Sequence, residues 1–140
     1  MADELVPWDD DFLVGHENID LQHQELVKMT NKFYAGVQMG GVVAKVFFLQ
    51  TIQGAVQYVK THFSTEEEIM KKINFPFMKE HKKQHEAFIA QVTREVKNFE
   101  KVDVPDHAGF VKYLMDWILN HVANTDKKLT PYLAKLGTEK

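Results

Sequence analysis

The chain of 140 residues contains no cysteine, which removes disulfides, thiolate-held metals, iron–sulfur clusters and a thiol nucleophile together and suits a reducing compartment. Any metal it holds must sit among nitrogen and oxygen donors. Arginine is nearly absent as well: Arg94 is the single one among seventeen basic residues, which face twenty acidic residues for a net charge of −3. Such a surface offers little to a phosphate backbone, so nucleic acid is not expected as a partner. Four prolines and seven glycines are too few for a collagenous or low-complexity chain, and 44% hydrophobic with 26% charged residues is the composition of a globular domain. No apolar run reaches the ~18 residues of a membrane span, and the acidic start Met1-Ala2-Asp3-Glu4 lacks the basic and apolar parts of a signal peptide. The expectation is one soluble, cytoplasmic domain spanning residues 1–140, with no membrane insertion.

What the chain does have is apolar residues at intervals of three and four along four long stretches, the mark of helices that each bury one face. The stripes run through Ile19, His23, Leu26, Thr30, Phe33 and Val37; through Phe48, Ile52, Ala55, Val59, His62, Glu66, Ile69 and Ile73; through Phe77, His81, His85, Phe88, Val92 and Phe99; and through Phe110, Leu114, Trp117 and His121. Breaks fall at Gly40-Gly41, at Asn74-Phe75-Pro76 and between Val102 and Asp106, where Pro105 ends one helix and Asp106 can cap the next. Connections this short join antiparallel neighbours. The predicted fold is therefore all-α, an up-down-up-down antiparallel four-helix bundle with an N-terminal arm laid across it and, at Pro131, a break before a short C-terminal helical turn. Trp8 is expected to anchor the arm by packing, and Asp9-Asp10-Asp11 to be a solvated run.

Polar residues interrupt the very stripes that should be buried. His23 lies early in the first helix, His62 and Glu66 late in the second, His81 and His85 early in the third, and His121 late in the fourth. In an antiparallel bundle all of these positions are at one end. Residues four apart are displaced by only about 40° and 6 Å, so His62/Glu66 and His81/His85 each present two donors to a shared centre. Asp126 fits less well, because five residues past His121 it should be rotated about 140° away unless the last turn is loosened. Burying five imidazoles at one level without a metal would leave many polar groups short of partners. They are too many for one zinc ion, so two metals fit better. Two six-coordinate ions that share two carboxylates and one hydroxide, with an imidazole on each remaining protein position, keep a single vertex open. His16 and His107 lie off this level and are read as surface or capping residues; Glu67 and Glu68 are read as solvated neighbours of Glu66.

With these motifs in hand, the chain resembles the hemerythrin family, in particular its single-domain bacterial members. The residues that carry the resemblance are Trp8 and Gly15, Asn18-Ile19-Asp20-Leu21-Gln22-His23, His62-Phe63-Ser64-Thr65-Glu66-Glu67, His81-Lys82-Lys83-Gln84-His85 and His121-Val122-Ala123-Asn124-Thr125-Asp126. The resemblance implies a non-haem centre of two iron ions bridged by an oxo or hydroxo group, with His81, His85 and His121 on one iron, His23 and His62 on the other, and Glu66 and Asp126 shared. It also implies that the five-residue step to Asp126 is the family's own spacing. Dioxygen would bind reversibly at the two-histidine iron, in a dry pocket lined by Leu26, Phe63, Trp117, Ile118 and Val122.

Five neutral imidazoles against two carboxylates, with no Glu-x-x-His motif, suit carriage better than oxidation by high-valent iron. The histidine pair on the third helix also lacks the glutamate base of a zinc protease. The expected role is oxygen storage, transport or delivery to an oxygen-consuming enzyme, by a monomer or weak oligomer that is not itself an enzyme. The alternatives are a di-iron peroxidase or nitric-oxide-consuming enzyme, and an oxygen- or redox-sensing module.

Overall fold

The computed structural model describes residues 5–101 and 107–133. The proposed break from Val102 to Asp106, and with it the Asp106 cap, lies outside the described residues, as does the side chain of Phe99. Helix α1 spans Glu17–Met39, α2 runs over Gly41–Lys72, α3 spans Met78–Lys101, and α4 begins as His107–Trp117 and continues through Ile118–Thr125. No strand occurs among the described residues. The fold is a four-helix bundle in which α1 packs on α2 and α4, and α2 also packs on α3.

Each helix starts and stops for a local reason. His16 caps α1 by accepting the Ile19 N–H on Nδ1 at 3.4 Å. Only Gly40 separates α1 from α2, and its φ of 69° with ψ of −179° is a conformation that a side chain strongly disfavours. Asn74, at φ 52°, closes α2 in the left-handed region while Phe75 N–H reaches back to Met70 O at 2.9 Å, the bond that ends a helix in a Schellman motif. Phe75 is then buried as the hydrophobic partner of that turn. Phe77, expected on the inner stripe of α3, instead precedes the helix and is exposed.

The helices are not uniform. Val59–Phe63 in α2 and Ile118–Thr125 in α4 are π-helical, and a short 3-10 turn, Asp126–Leu129, follows. Both widened segments lie at the level where the polar residues gather.

The arm is tied down by backbone rather than by Trp8. Val6 exchanges hydrogen bonds with the Asn31 amide at 2.8 Å in each direction, Val14 N–H goes to Asp20 Oδ1 at 2.7 Å, and Lys127 Nζ donates to Leu13 O at 2.7 Å. Val6, Phe12 and Val14 are buried, whereas Trp8 is 37% exposed and meets Phe12 edge-on. The anchoring expected of Trp8 therefore falls to its apolar neighbours.

Helix α2 corrects another expectation. It contains a window of mean hydropathy 1.2, long and apolar enough to cross a membrane by length and composition. It lies along α1 and carries His62 and Glu66 inward, while Val42, Val46 and Leu49 on the same helix stay exposed.

Two apolar layers result. The larger includes Leu26, Phe33, Phe48, Phe63, Phe88, Phe110, Trp117, Ile118 and Val122. The smaller closes one end of the bundle with Val14, Ile19, Ile69, Met70, Phe75, Leu129 and Leu133. The polar cluster lies between them in every helix.

Candidate metal centre

All seven donor residues read from the sequence come together, and all are at most 2% exposed. His23 Nε2 lies 2.9 Å from Asp126 Oδ2, and His62 Nε2 lies 3.1 Å from Glu66 Oε1 and 3.4 Å from Asp126 Oδ2. His81 Nε2 is 3.2 Å from Glu66 Oε1 and 3.0 Å from Asp126 Oδ1. His85 Nε2 is 3.1 Å from Glu66 Oε1, and His121 Nε2 is 3.0 Å from Asp126 Oδ1. Every imidazole thus aims its Nε2 at Glu66, at Asp126 or, for His62 and His81, at both.

The donors fall into two overlapping sets, within each of which the ligand atoms lie within 4.8 Å of one another. One is His81, His85 and His121 with Glu66 and Asp126; the other is His23 and His62 with the same two carboxylates. Two histidine groups that share two carboxylates form a cluster able to hold two metal ions.

The outer ring nitrogens explain why the inner ones are free to bind. His23 Nδ1 donates to the Phe12 carbonyl at 2.7 Å, His62 Nδ1 to Gln22 Oε1 at 2.7 Å, His121 Nδ1 to Gln84 Oε1 at 2.7 Å, and His85 Nδ1 to Glu67 Oε2 at 3.1 Å. An acceptor on Nδ1 fixes the proton there and turns the Nε2 lone pair inward. Gln84 is itself held by Thr125 Oγ1 at 3.0 Å.

Inside the cluster, His62 Nε2, His121 Nε2, Glu66 Oε2 and Asp126 Oδ1 are sealed from solvent with no hydrogen bond of acceptable geometry. Groups so close and yet misaligned are costly to bury, and they are satisfied if each lone pair faces a cation instead. The residues therefore fit a metal pair.

Electrostatics agree. Burial opposes charge on His62, but the Glu66 and Asp126 carboxylates overcome it and push the group up to about 10 in the metal-free chain. Burial likewise opposes charge on His81, and the same carboxylates raise it to about 9. Burial and the Asp126 charge work against ionising Glu66, yet His62 and His81 hold it well below the usual carboxylate range. Asp126, also buried, is held low by the histidines around it, His121 foremost. In the metal-free chain the two buried carboxylates thus favour positive charge on His62 and His81, the role that cations would take over.

The five predicted pocket residues are buried in the larger apolar layer, and two of them touch donor histidines. Phe63 stacks on His85 with ring centroids 3.8 Å apart and a 4° tilt, and Trp117 stacks on His121 at 3.9 Å and 11°.

Gln22, Gln84, Glu67 and Tyr58 were not singled out from the sequence. Glu67, read there as solvated, bonds His85 and lies 3.9 Å from Lys82. A signal for the glutamines did exist: each immediately precedes a donor histidine and serves a histidine on a neighbouring helix.

Comparison with known proteins agrees with this geometry. Residues 14–133 match the sequence model described as "Hemerythrin HHE cation binding domain". The bacteriohemerythrin of Pseudomonas aeruginosa is 35% identical over 120 residues, covering 85% of this chain and 75% of that protein. That of Stenotrophomonas maltophilia is 30% identical over 124 residues, covering 88% and 78%. The myohemerythrin of Riftia pachyptila is 29% identical over 121 residues, covering 86% and 88%. A crystal structure of a hemerythrin variant, 24% identical, superposes with a TM-score of 0.80 over 93% of this chain and 98% of its own. The chain thus belongs to the hemerythrin family, whose cofactor is a pair of iron ions.

Proposed function

We propose that this protein binds dioxygen reversibly at a di-iron centre and stores it, or hands it to an oxygen-consuming enzyme, within the cytoplasm as a single domain of residues 1–140. His81, His85 and His121 would hold one ion, His23 and His62 the other, with Glu66 and Asp126 shared. The grouping of the donors supports this division. When bound, the iron pair supplies the two electrons that dioxygen takes up on binding and returns on release.

The observation that carries the reading is a nitrogen-rich cluster, five imidazoles to two carboxylates, sealed between two apolar layers. Few carboxylates give little support to highly oxidised metal, which favours carriage over turnover. Leu26, Phe63, Trp117, Ile118 and Val122 keep water and its protons away from the cluster. The Nδ1 acceptors hold the imidazoles in place, so the site need not reorganise as oxygen comes and goes.

The test is elemental analysis followed by an anaerobic ferrous preparation that is exposed to oxygen and then evacuated, with visible charge-transfer absorption recorded throughout. Two irons per chain and absorption that rises and falls over repeated cycles are expected. A single metal per chain, or steady oxygen consumption without recovery of the ferrous form, would overturn the proposal.

A further inference from the structure

Tyr58 places a polar atom in the otherwise apolar layer beside the cluster. It lies on α2 one turn before His62, is 7% exposed, and stacks on the His62 ring with centroids 4.6 Å apart and a 14° tilt. Its hydroxyl accepts the Trp117 Nε1–H at 3.1 Å, and the Trp117 ring in turn lies flat on His121. The phenol therefore reaches from a histidine of the two-histidine group to the indole that covers the three-histidine group. Edge-on contacts with Phe63 at 5.2 Å and Phe88 at 5.6 Å fix its ring in the aromatic layer.

A phenol both donates and accepts. The Trp117 bond uses an acceptor position, and among the described residues nothing accepts the proton of Tyr58. A buried tyrosine hydroxyl usually finds partners, and here the neighbours that wall it in are apolar rings and a histidine face. The indole pins the oxygen, and the O–H bond remains free to rotate on the ring that stacks on His62. On its other side Tyr58 borders a cleft of about 320 Å³ between α1 and α2, which Gln22, Leu26 and Met29 also line. Tyr58, which stacks on His62, and Gln22, which bonds it, thus both stand between that cleft and the His62 ring.

We propose that Tyr58 donates its O–H to the negative end of a small ligand held on the His23–His62 side, and so favours ligands that carry or acquire negative charge on binding. This deepens the proposed function and rests on it. The proton stays on the phenol oxygen throughout and no covalent bond changes. Tyr58 acts as a specificity-determining donor, a role that Leu26, Phe63, Ile118 and Val122 cannot fill and that Trp117 cannot while its N–H is given to Tyr58.

The probe is azide, titrated into the ferric, iron-loaded protein and its Tyr58→Phe variant, with iron content, helical circular dichroism and the infrared stretch of bound azide read on the same samples. Loss of a hydrogen bond to a charged ligand is expected to raise the azide dissociation constant about tenfold or more. The azide stretch should shift, while iron content and helicity stay at the wild-type level. An unchanged constant with an unchanged stretch overturns the proposal, as does a variant that loses its iron, which would make Tyr58 structural. A wild-type protein that takes up no iron pair overturns the underlying function and this inference with it, whereas azide binding retained equally by both proteins removes the inference alone.

Discussion

Asp126 donates its backbone N–H to the carbonyl of His121, five residues earlier, and its Oδ1 stands 3.0 Å from His121 Nε2. In a regular α-helix those side chains would diverge by about 140°. The π-helical path over Ile118–Thr125 lowers the rotation per residue and returns Asp126 to the face that His121 occupies. Asp126 can then meet His23, His62, His81 and His121 together.

Replacement Asp126→Asn keeps the shape of this side chain but removes the charge shared by the two donor groups. Bound iron is expected to fall well below two per chain while helical circular dichroism is retained. Wild-type iron content in the purified variant would exclude Asp126 as a shared ligand.

How far the site could be read from the sequence follows from which residues obey a helical period. His23, His62, Glu66, His81, His85 and His121 sit on inner stripes and so declare themselves. Asp126 does not, because the period itself changes where it lies, and only a loosened final turn could admit it. The acceptors behind the histidines were hidden for a different reason. Gln22 and Gln84 sit one position off the inner stripe, and their partners lie on other helices, 40 and 37 residues away, so the Gln-His pairs alone do not name the histidine each one serves. Trp8 misled because bulk suggested burial, whereas the arm is held by its backbone and by Val6, Phe12 and Val14.

The glutamines should matter to metal retention without touching the metal. Gln84→Leu removes the acceptor of His121 Nδ1–H and of Thr125 Oγ1, which frees the ring to rotate and to change tautomer. Loss of such an outer partner typically costs 10–100-fold in metal affinity or activity. Iron affinity measured by competition with a chelator should fall in that range for Gln84→Leu and recover in Gln84→Glu. Equal affinities for wild type and Gln84→Leu would show that the bond is incidental.

Stability of the metal-free protein should depend on pH in a direction fixed by the cluster. His62 and His81 are raised from an ordinary 6.5 to about 10 and about 9. Their contribution is therefore fully present below about pH 6.5 and is lost as pH rises through 9 to 10. Glu66 and Asp126 are depressed, so their contribution is present above about pH 4 and is lost on acidification. The melting temperature of metal-free protein should thus decline from pH 7 to pH 10, and the iron-loaded protein should lack that alkaline decline. Metal uptake at pH 7 should also release protons, measurable in weakly buffered solution. A melting temperature flat to pH 10 in the metal-free protein would contradict this account.

Trp117 joins stability to protection of the site. Its ring covers His121, contacts Phe88 at 4.6 Å, and donates the hydrogen bond that positions Tyr58. Truncating a buried tryptophan to alanine removes its apolar contacts and leaves a cavity, at a cost of about 3–5 kcal/mol. That cavity would open over His121 and next to Tyr58, which borders the α1–α2 cleft, so water should reach the cluster. Trp117→Ala is accordingly expected to melt at lower temperature, to keep its iron, and to autoxidise several-fold faster after oxygenation. Trp117→Phe retains an aromatic ring over His121 and should fall between the two. If the alanine variant lost stability but autoxidised at the wild-type rate, Trp117 would be a packing residue only, and exclusion of water would rest on Leu26, Phe63, Ile118 and Val122.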